Sequence, residues 1–274
     1  MNKIALLPQR GVIAIEGDDR VDFLQGLVSN DVESASPDRA IWAALLTPQG
    51  KWLADFFIFA DGDRLLLDCE SAQIPMLLQR MARYRLRMKV ALRAEPDLFV
   101  AVAWGGRPDV AGVVAPDPRL PDFAWRVLDT TAPTANATAE DWDAYRLQAG
   151  LPDGSKDMEA DRSVLLEAGF DELAGVSWTK GCYMGQELTA RTKYRGLIKR
   201  RLMPVDIAGP LPATGTPVLK NGVEVGTMRS GRGDIGLASL RLDAIGSGLV
   251  CGEATLTARV PSWLRLRDPA RADP

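Results

Sequence analysis

Residues 178–196 read WTKGCYMGQELTARTKYRG and carry one thiol, Cys182, with Gly181 before it and Gly185 three residues after it. Gln186, Glu187 and a run of basic residues follow. Glycine keeps side chains from crowding a thiol and leaves room for another backbone or a flat ligand. Composition from Met184 to Tyr194 favours helix, so Cys182 is expected at or near a helix N-terminus, where free N–H groups and the dipole favour thiolate. Lys180 is expected to add a nearby positive charge. Glu187 and Arg191 are four apart and can pair on one helix face, aiming the guanidinium at a carboxylate or phosphate. Yet a lone cysteine beside glycine is most often a small buried residue, and a Glu/Arg pair most often a solvated helix face. These residues alone leave open whether Cys182 is displayed for chemistry or merely sits in a tight turn.

The rest of the composition limits that chemistry. The 274 residues include no histidine, which excludes Ser-His-Asp hydrolysis, Cys-His proteolysis and HExxH zinc sites. The cysteines, Cys69, Cys182 and Cys251, are odd in number and far apart, so they form no disulfide framework and are expected to be reduced. They also make too few ligands for a closed zinc or cluster cage. A net charge of −3 and a pI near 5.2 argue against general polyanion binding, so any basic site must be local. No apolar run approaches the roughly 18 residues that span a bilayer, and MNKIALLPQRGVIAIEGDD lacks a signal-peptide apolar region. The expectation is a cytoplasmic protein with no membrane partner.

Several elements must position the thiol. GVIAIEG (11–17) reads as a strand, and Asp18 as the N-cap of a helix over DRVDFLQGLVSN. RAIWAALLTPQGKWLADFFIFADGDRLLLDC reads as three strands joined by turns at TPQG and ADGD. SAQIPMLLQRMARYRL is a helix with Pro75 in its first turn, followed by strand over 87–104. Residues 105–138 read as loops around the strand AWRVLD. TAEDWDAYRLQAGLP is a helix capped by Thr138 and ended by Gly150. Beyond residue 200, alternating strands and turns suggest a small barrel. The organisation is α+β over 1–199, interleaving two subdomains, then a β-barrel over 200–262 and a tail over 263–274.

KGCYMGQE (180–187) resembles the K-G-C-Y-x-G-Q-E signature of the YgfZ family, folate-binding relatives of the glycine-cleavage aminomethyltransferase that assist iron-sulfur proteins. FLQGLVSNDV (23–32), LLTPQGK (45–51) and YRLQAGLP (145–152) are similar to further family segments, and the stretch from Lys180 to Leu202 is similar to mitochondrial members that act late in 4Fe-4S protein assembly. The resemblance implies an aminomethyltransferase-like, multi-lobed fold around a central channel that accepts tetrahydrofolate or a derivative. It also implies iron-sulfur assembly proteins or client enzymes as partners. Lys180, Gly181, Cys182, Tyr183, Gly185, Gln186, Glu187 and Arg191 match the signature and its following helix. Trp142 falls at a folate-pocket tryptophan, Gln148 falls where the transferases have a pterin-binding glutamate, and Asn30 is a candidate polar contact. RYRLR (83–87) and KYRGLIKRR (193–201) are candidates for the anionic folate tail. The helix beginning ESAQIPML has no counterpart to the transferases' catalytic aspartate, which argues against conventional aminomethyl transfer. Lys193 stands where many relatives carry histidine. Cys182 would then act as a transient iron ligand, a redox group or a one-carbon acceptor in an accessory factor for cluster assembly or repair. A one-carbon transferase, a tRNA-modification factor using KYRGLIKRR, and a folate-free scaffold remain the alternatives.

Overall fold

The structure, a computed structural model, describes residues 2–266. In chain order the first half comprises β1 (Lys3–Leu6), β2 (Arg10–Glu16), α1 (Arg20–Gln25), β3 (Ile41–Leu46), β4 (Trp52–Asp61), β5 (Arg64–Glu70) and α2 (Ile74–Arg85). Then come β6 (Ala91–Ala94), β7 (Phe99–Trp104), β8 (Val113–Pro116), β9 (Trp125–Asp129), α3 (Ala139–Ala149) and α4 (Gln186–Tyr194). The last part holds β10 (Arg200–Ala208), β11 (Pro217–Lys220), β12 (Val223–Arg232), β13 (Ile235–Arg241), β14 (Leu249–Cys251) and β15 (Ala254–Ala258).

These strands build two antiparallel sheets and a closed barrel. The five-stranded sheet runs β3-β4-β5-β2-β6, the four-stranded sheet β1-β7-β9-β8, and the barrel β10-β13-β12-β11-β14-β15. Interleaving arises because β1 pairs with β7, Lys3 opposite Trp104, while β2 pairs with β5 in the other sheet. Closure leaves the barrel no free edge.

All six residues of β3 and the first eight of β4 are buried, because both faces of their sheet are covered. One face sends Ile41, Ala43, Leu45, Phe56 and Ile58 against Phe23 and Leu24 of α1 and Leu77 and Met81 of α2. The other sends Trp42, Leu46, Trp52, Phe57 and Phe59 into a cluster that includes Val102 and Leu128 of the second sheet and Trp142 of α3. The period-2 alternation of a half-solvated strand is therefore missing from the sequence there.

The lobes meet at a buried ion-pair network. Asp68 of β5 accepts from Arg10 and, at 3.3 Å, from Arg126 of β9. Asp117 accepts from Arg119 at 2.8 Å and from Arg126 at 3.1 Å. Arg146 of α3 is held by Asp143 and Asp157, each at 2.7 Å, and reaches the barrel by donating to Ser230 Oγ at 2.8 Å. Asp153 lies between the two halves, 3.8 Å from Arg10 and 3.9 Å from Arg146. Burial would raise the Asp117 carboxyl, but Arg119 and Arg126 hold it well below the usual range. Burial would likewise lower the Arg146 guanidinium, and Asp157, Asp153 and Asp143 reverse that.

Some boundaries differ from the sequence reading. Helix α1 stops at Gln25, and its N-cap is Asp19, whose carboxylate accepts from Lys89 N at 2.7 Å instead of capping. Residues 87–104 form two strands, and β8 lies within the segment read as loop. Thr138 and Gly150 bound α3 as expected, with a capping box and a left-handed C-cap at φ 74°. Trp263 and Leu264, assigned above to a tail, pack on the body: Trp263 Nε1 donates to Ala149 O at 2.8 Å, and Leu264 joins the barrel core. Residues 267–274, the rest of the expected tail, lie outside the described residues.

One buried carboxylate gives a pH signature. Asp55 accepts from the indoles of Trp42 (2.8 Å) and Trp52 (3.1 Å), and burial pushes it up to about 6, partly opposed by the Trp42 bond. A raised folded-state value means the native protein holds this proton more tightly than the unfolded chain, so its contribution is present below about pH 4 and lost as pH rises through about 6. Denaturant unfolding of wild type and Asp55→Asn across pH 4–7 should show the stability gap move in the variant's favour by about 3 kcal/mol, since each tenfold change in proton affinity is worth about 1.4 kcal/mol. A pH-independent gap would contradict the assignment.

Candidate functional site

The motif is fastened to the loop after α1. Lys180 Nζ donates to three backbone carbonyls, Gln25 O and Val28 O at 2.7 Å and Asn30 O at 2.8 Å. An ammonium has three donors, so all are engaged, and Gln25 O lies at the C-terminal end of α1, where positive charge is favoured. Burial pushes the amine down to about 8, against the opposing pull of Asp31. Beside it, Met184 N donates to Gly26 O at 3.1 Å, and Ser177 N to Ser29 O at 3.0 Å. Ser29 Oγ donates onward to Gly175 O at 2.7 Å and accepts from Ala44 N at 2.9 Å. This seam joins the motif to β3.

On the other side the motif rests on the β3–β4 turn. Gly185 has φ 79°, and a Cβ there would come within 2.4 Å of Thr47 O. Gly50, in the TPQG turn, has φ 81°, and its Cβ would meet Gly185 O at 2.6 Å. Both positions require glycine by conformation and by contact. Tyr183 points inward, 8% exposed, and burial pushes its phenol up to about 12. Gln186 Oε1 accepts from Tyr183 N at 3.2 Å, closing the turn before α4.

These anchors turn Cys182 outward. Its residue is exposed, whereas Cys69 and Cys251 are buried. A Cβ at Gly181 would meet nothing within 4 Å, so the thiol's neighbour also faces open space. Two expectations need correction. Helix α4 begins at Gln186 with Gly185 as N-cap, which leaves Cys182 ahead of the helix rather than on its N-terminus. Lys180 does not face the thiol, because its three donors are bound to the α1 loop. Glu187 and Arg191 are both exposed and form no ion pair among the described residues. Lys193 turns instead to Asp171 at 2.9 Å and sits 3.9 Å from the Trp178 ring.

The residues expected to hold folate do not converge. Trp142 is 3% exposed and enclosed by Trp104, Phe123 and Tyr145, with ring centroids 5.8–6.1 Å away, so neither face is open for a stack. Gln148 lies on the exposed side of α3. Asn30 donates both amide hydrogens to carbonyls, Trp42 O at 2.8 Å and Ala174 O at 2.7 Å, and serves as a structural clamp. It borders a hollow of about 490 Å³ that also includes Arg39, Pro116 and Trp178, but neither Trp142 nor Gln148 reaches it. Where the lobes meet, Arg10, Asp68, Arg126 and Asp117 are paired with one another and buried. The residues present therefore do not fit a folate held by Trp142, Gln148 and Asn30.

Sequence reasoning found the signature but missed the seam. Ser29 and Asn30 stood inside FLQGLVSNDV without any cue that they bind the segment leading into Trp178 and the sheet. No group of three or more His, Cys, Asp or Glu side chains among the described residues can hold a metal ion. Cys182 can offer one sulfur, with no such group around it.

Comparison with known proteins gives the family and the fold. Residues 199–266 match the family model described as CAF17, C-terminal beta-barrel domain. The mouse "Iron-sulfur cluster assembly factor IBA57, mitochondrial" is 33% identical, over 94% of this chain and 84% of its own. The human protein of that name is 32% identical over the same shares, and the Mycosarcoma maydis homolog is 31% identical over 99% of this chain and 87% of its own. Aminomethyltransferase T of the glycine cleavage system from Bartonella henselae superposes with a TM-score of 0.77, covering 96% of this chain and 86% of that one at 13% identity. The fold is therefore aminomethyltransferase-like. The cytoplasmic location expected above is corrected: these relatives are named as mitochondrial proteins.

Thiol reactivity separates the three cysteines. Burial pushes Cys69 up to about 12 and raises Cys251 as well, while Cys182 alone is exposed. Iodoacetamide at pH 7 should alkylate Cys182 at least tenfold faster than the other two, since only an accessible thiol reacts. Mass-spectrometric mapping that found Cys69 or Cys251 modified first would contradict this arrangement.

Proposed function

From the chain's membership of the IBA57 family of iron-sulfur cluster assembly factors, we propose that it acts by lending the Cys182 thiolate to an iron-sulfur cluster held jointly with a partner protein. The observation that carries this reading is the pairing of an outward-facing thiol with the absence, among the described residues, of further ligands able to complete a cage. Thiolate is the ligand iron-sulfur iron takes, and a cluster iron needs others that a single exposed cysteine cannot supply. A ligand shared across an interface suits transfer, because separation of the two proteins removes it. The Lys180–Glu187 signature and its likeness to YgfZ proteins support the same reading, with the assembly of 4Fe-4S proteins as the later step served.

The chain's own residues position the sulfur. Lys180 and Met184 hold the loop to the end of α1, Gly185 seats it on the TPQG turn, and Gly181 leaves the approach open. Because Cys182 is exposed, Cys182→Ser should keep its melting temperature within about 2 °C, as surface changes usually stay within about ±0.5 kcal/mol. The same variant should fail to restore activity of 4Fe-4S enzymes in cells depleted of their own IBA57. Full restoration by the serine variant would reject the liganding role.

Tetrahydrofolate is the second reading, favoured by the aminomethyltransferase fold. With Trp142 enclosed and Gln148 on an outer face, no step is assigned to it. Titration of tetrahydrofolate followed by intrinsic fluorescence tests the point. If the ligand binds this conformation elsewhere, Trp142→Phe should leave its affinity unchanged, whereas a several-fold loss would return Trp142 to the site.

A further inference from the structure

The turn after α2 leaves a basic and apolar surface uncovered. Residues 82–87 are all exposed, Leu86 at 86% and Tyr84 at 36%. Arg83, Arg85 and Arg87 alternate with them and enter no ion pair among the described residues, although Arg85 donates to Val90 O at 3.4 Å. Leu86 has φ 46° and ψ −113°, a combination glycine prefers, and it holds the leucine side chain out into solvent. Beside it lies an open hollow of about 540 Å³ formed by Asp19, Leu86, Arg87 and Met88.

Arginines near a helix C-terminus commonly serve the helix dipole. That accounts for Arg83 and Arg85, which lie in the last turn of α2. It does not account for Arg87 beyond the helix, or for a leucine held outward between two arginines. The patch is locally cationic on a chain of net charge −3. Guanidinium groups match carboxylates in a planar, two-pronged geometry, and arginine and tyrosine are enriched where interfaces concentrate their binding energy. A long polyanion or a charged membrane face would also press against Asp18 and Asp19, and Asp18 is largely exposed in its 3.3 Å pair with Lys89. A folded protein whose acidic patch is confined to the arginines, with neutral or basic surface over Asp18, Asp19 and the exposed Asp22 of α1, avoids that repulsion.

Helix α1 links this surface to the motif. Its N-cap Asp19 borders the hollow with Leu86, while at its other end Gln25 O is bound by Lys180. Six helical residues span about 9 Å, well within the footprint of a standard interface of roughly 800 Å² per partner. We propose that the Arg83–Arg87 turn is a docking surface for an acidic, cluster-bearing partner protein, which it seats over Cys182. This rests on the liganding role of Cys182, and the two can fail separately.

Photo-crosslinking in cells that express the full chain tests it, with p-benzoylphenylalanine introduced once at Leu86 and once at Gly181, where an added Cβ meets nothing within 4 Å. The same iron-sulfur protein should be captured from both positions. In the triple variant Arg83→Glu, Arg85→Glu, Arg87→Glu the Gly181 adduct should fall at least tenfold while the melting temperature drops by no more than the few degrees that reversed charges in the last turn of α2 cost, whereas Lys at all three positions should keep both the melting temperature and much of the yield. An iron-sulfur protein captured from 181 while 86 yields only RNA, only lipid or nothing would overturn the docking surface alone. No iron-sulfur protein from 181 would overturn the Cys182 reading and the proposal with it.

Discussion

One partly buried ammonium sets the placement of the loop that carries Cys182. Lys180 joins three carbonyls that the end of α1 and its following loop leave without helical partners. Those carbonyls belong to the segment that covers one face of the five-stranded sheet, so the same contact ties the motif to the hydrophobic core beneath. Removing the lysine would leave three partly buried acceptors without this partner, which costs more than a surface hydrogen bond contributes. A nearby charge for the thiol was the natural expectation from spacing alone. Its actual role is mechanical: it fixes the backbone so that Cys182 has nowhere to turn but outward.

The second constraint is the ion-pair network between the lobes. Arginines at the centre of an aminomethyltransferase-like fold could in principle line a ligand channel, but here each is met by protein carboxylates. Arg126 bridges Asp68 and Asp117 while lying 3.7 Å from the Phe57 ring, and Arg146 is held by two aspartates, a carbonyl and a serine of the barrel. A fully paired network specifies how lobes meet, and breaking any one partner leaves a buried charge. The fold is shared with an aminomethyltransferase, yet the arginines where the lobes meet are taken up by protein carboxylates, and the exposed thiol lies on a loop. Fold alone does not carry function.

Much of this architecture was legible. The β3–β5 meander showed in its turns, α3 in Thr138 and Gly150, and the barrel in the spacing of its glycine-rich turns. Strand β8 was missed because Val113–Pro116 is short and lies among prolines, and the exact start of α1 because Asp19 spends its carboxylate on Lys89. The signature around Cys182 stood out, but the direction of its side chains did not. Orientation depends on Ser29, Asn30 and the TPQG turn, which lie more than 100 residues earlier and meet the motif only in the folded chain. Trp142 illustrates the reverse error, since a tryptophan on a helix reads equally well as a ligand platform or as core, and packing against Trp104 and Tyr145 decides for core.

The central claim is that Cys182 enters the coordination sphere of a cluster that another protein also holds. Visible circular dichroism of a cluster-loaded iron-sulfur carrier, titrated anaerobically with this chain, reads that coordination directly, because the spectrum follows the ligands around the iron. Wild-type chain should change the cluster spectrum and saturate near one chain per cluster, while Cys182→Ser should leave it as in the carrier alone. An identical change with the serine variant, or no change with wild type, would contradict the account.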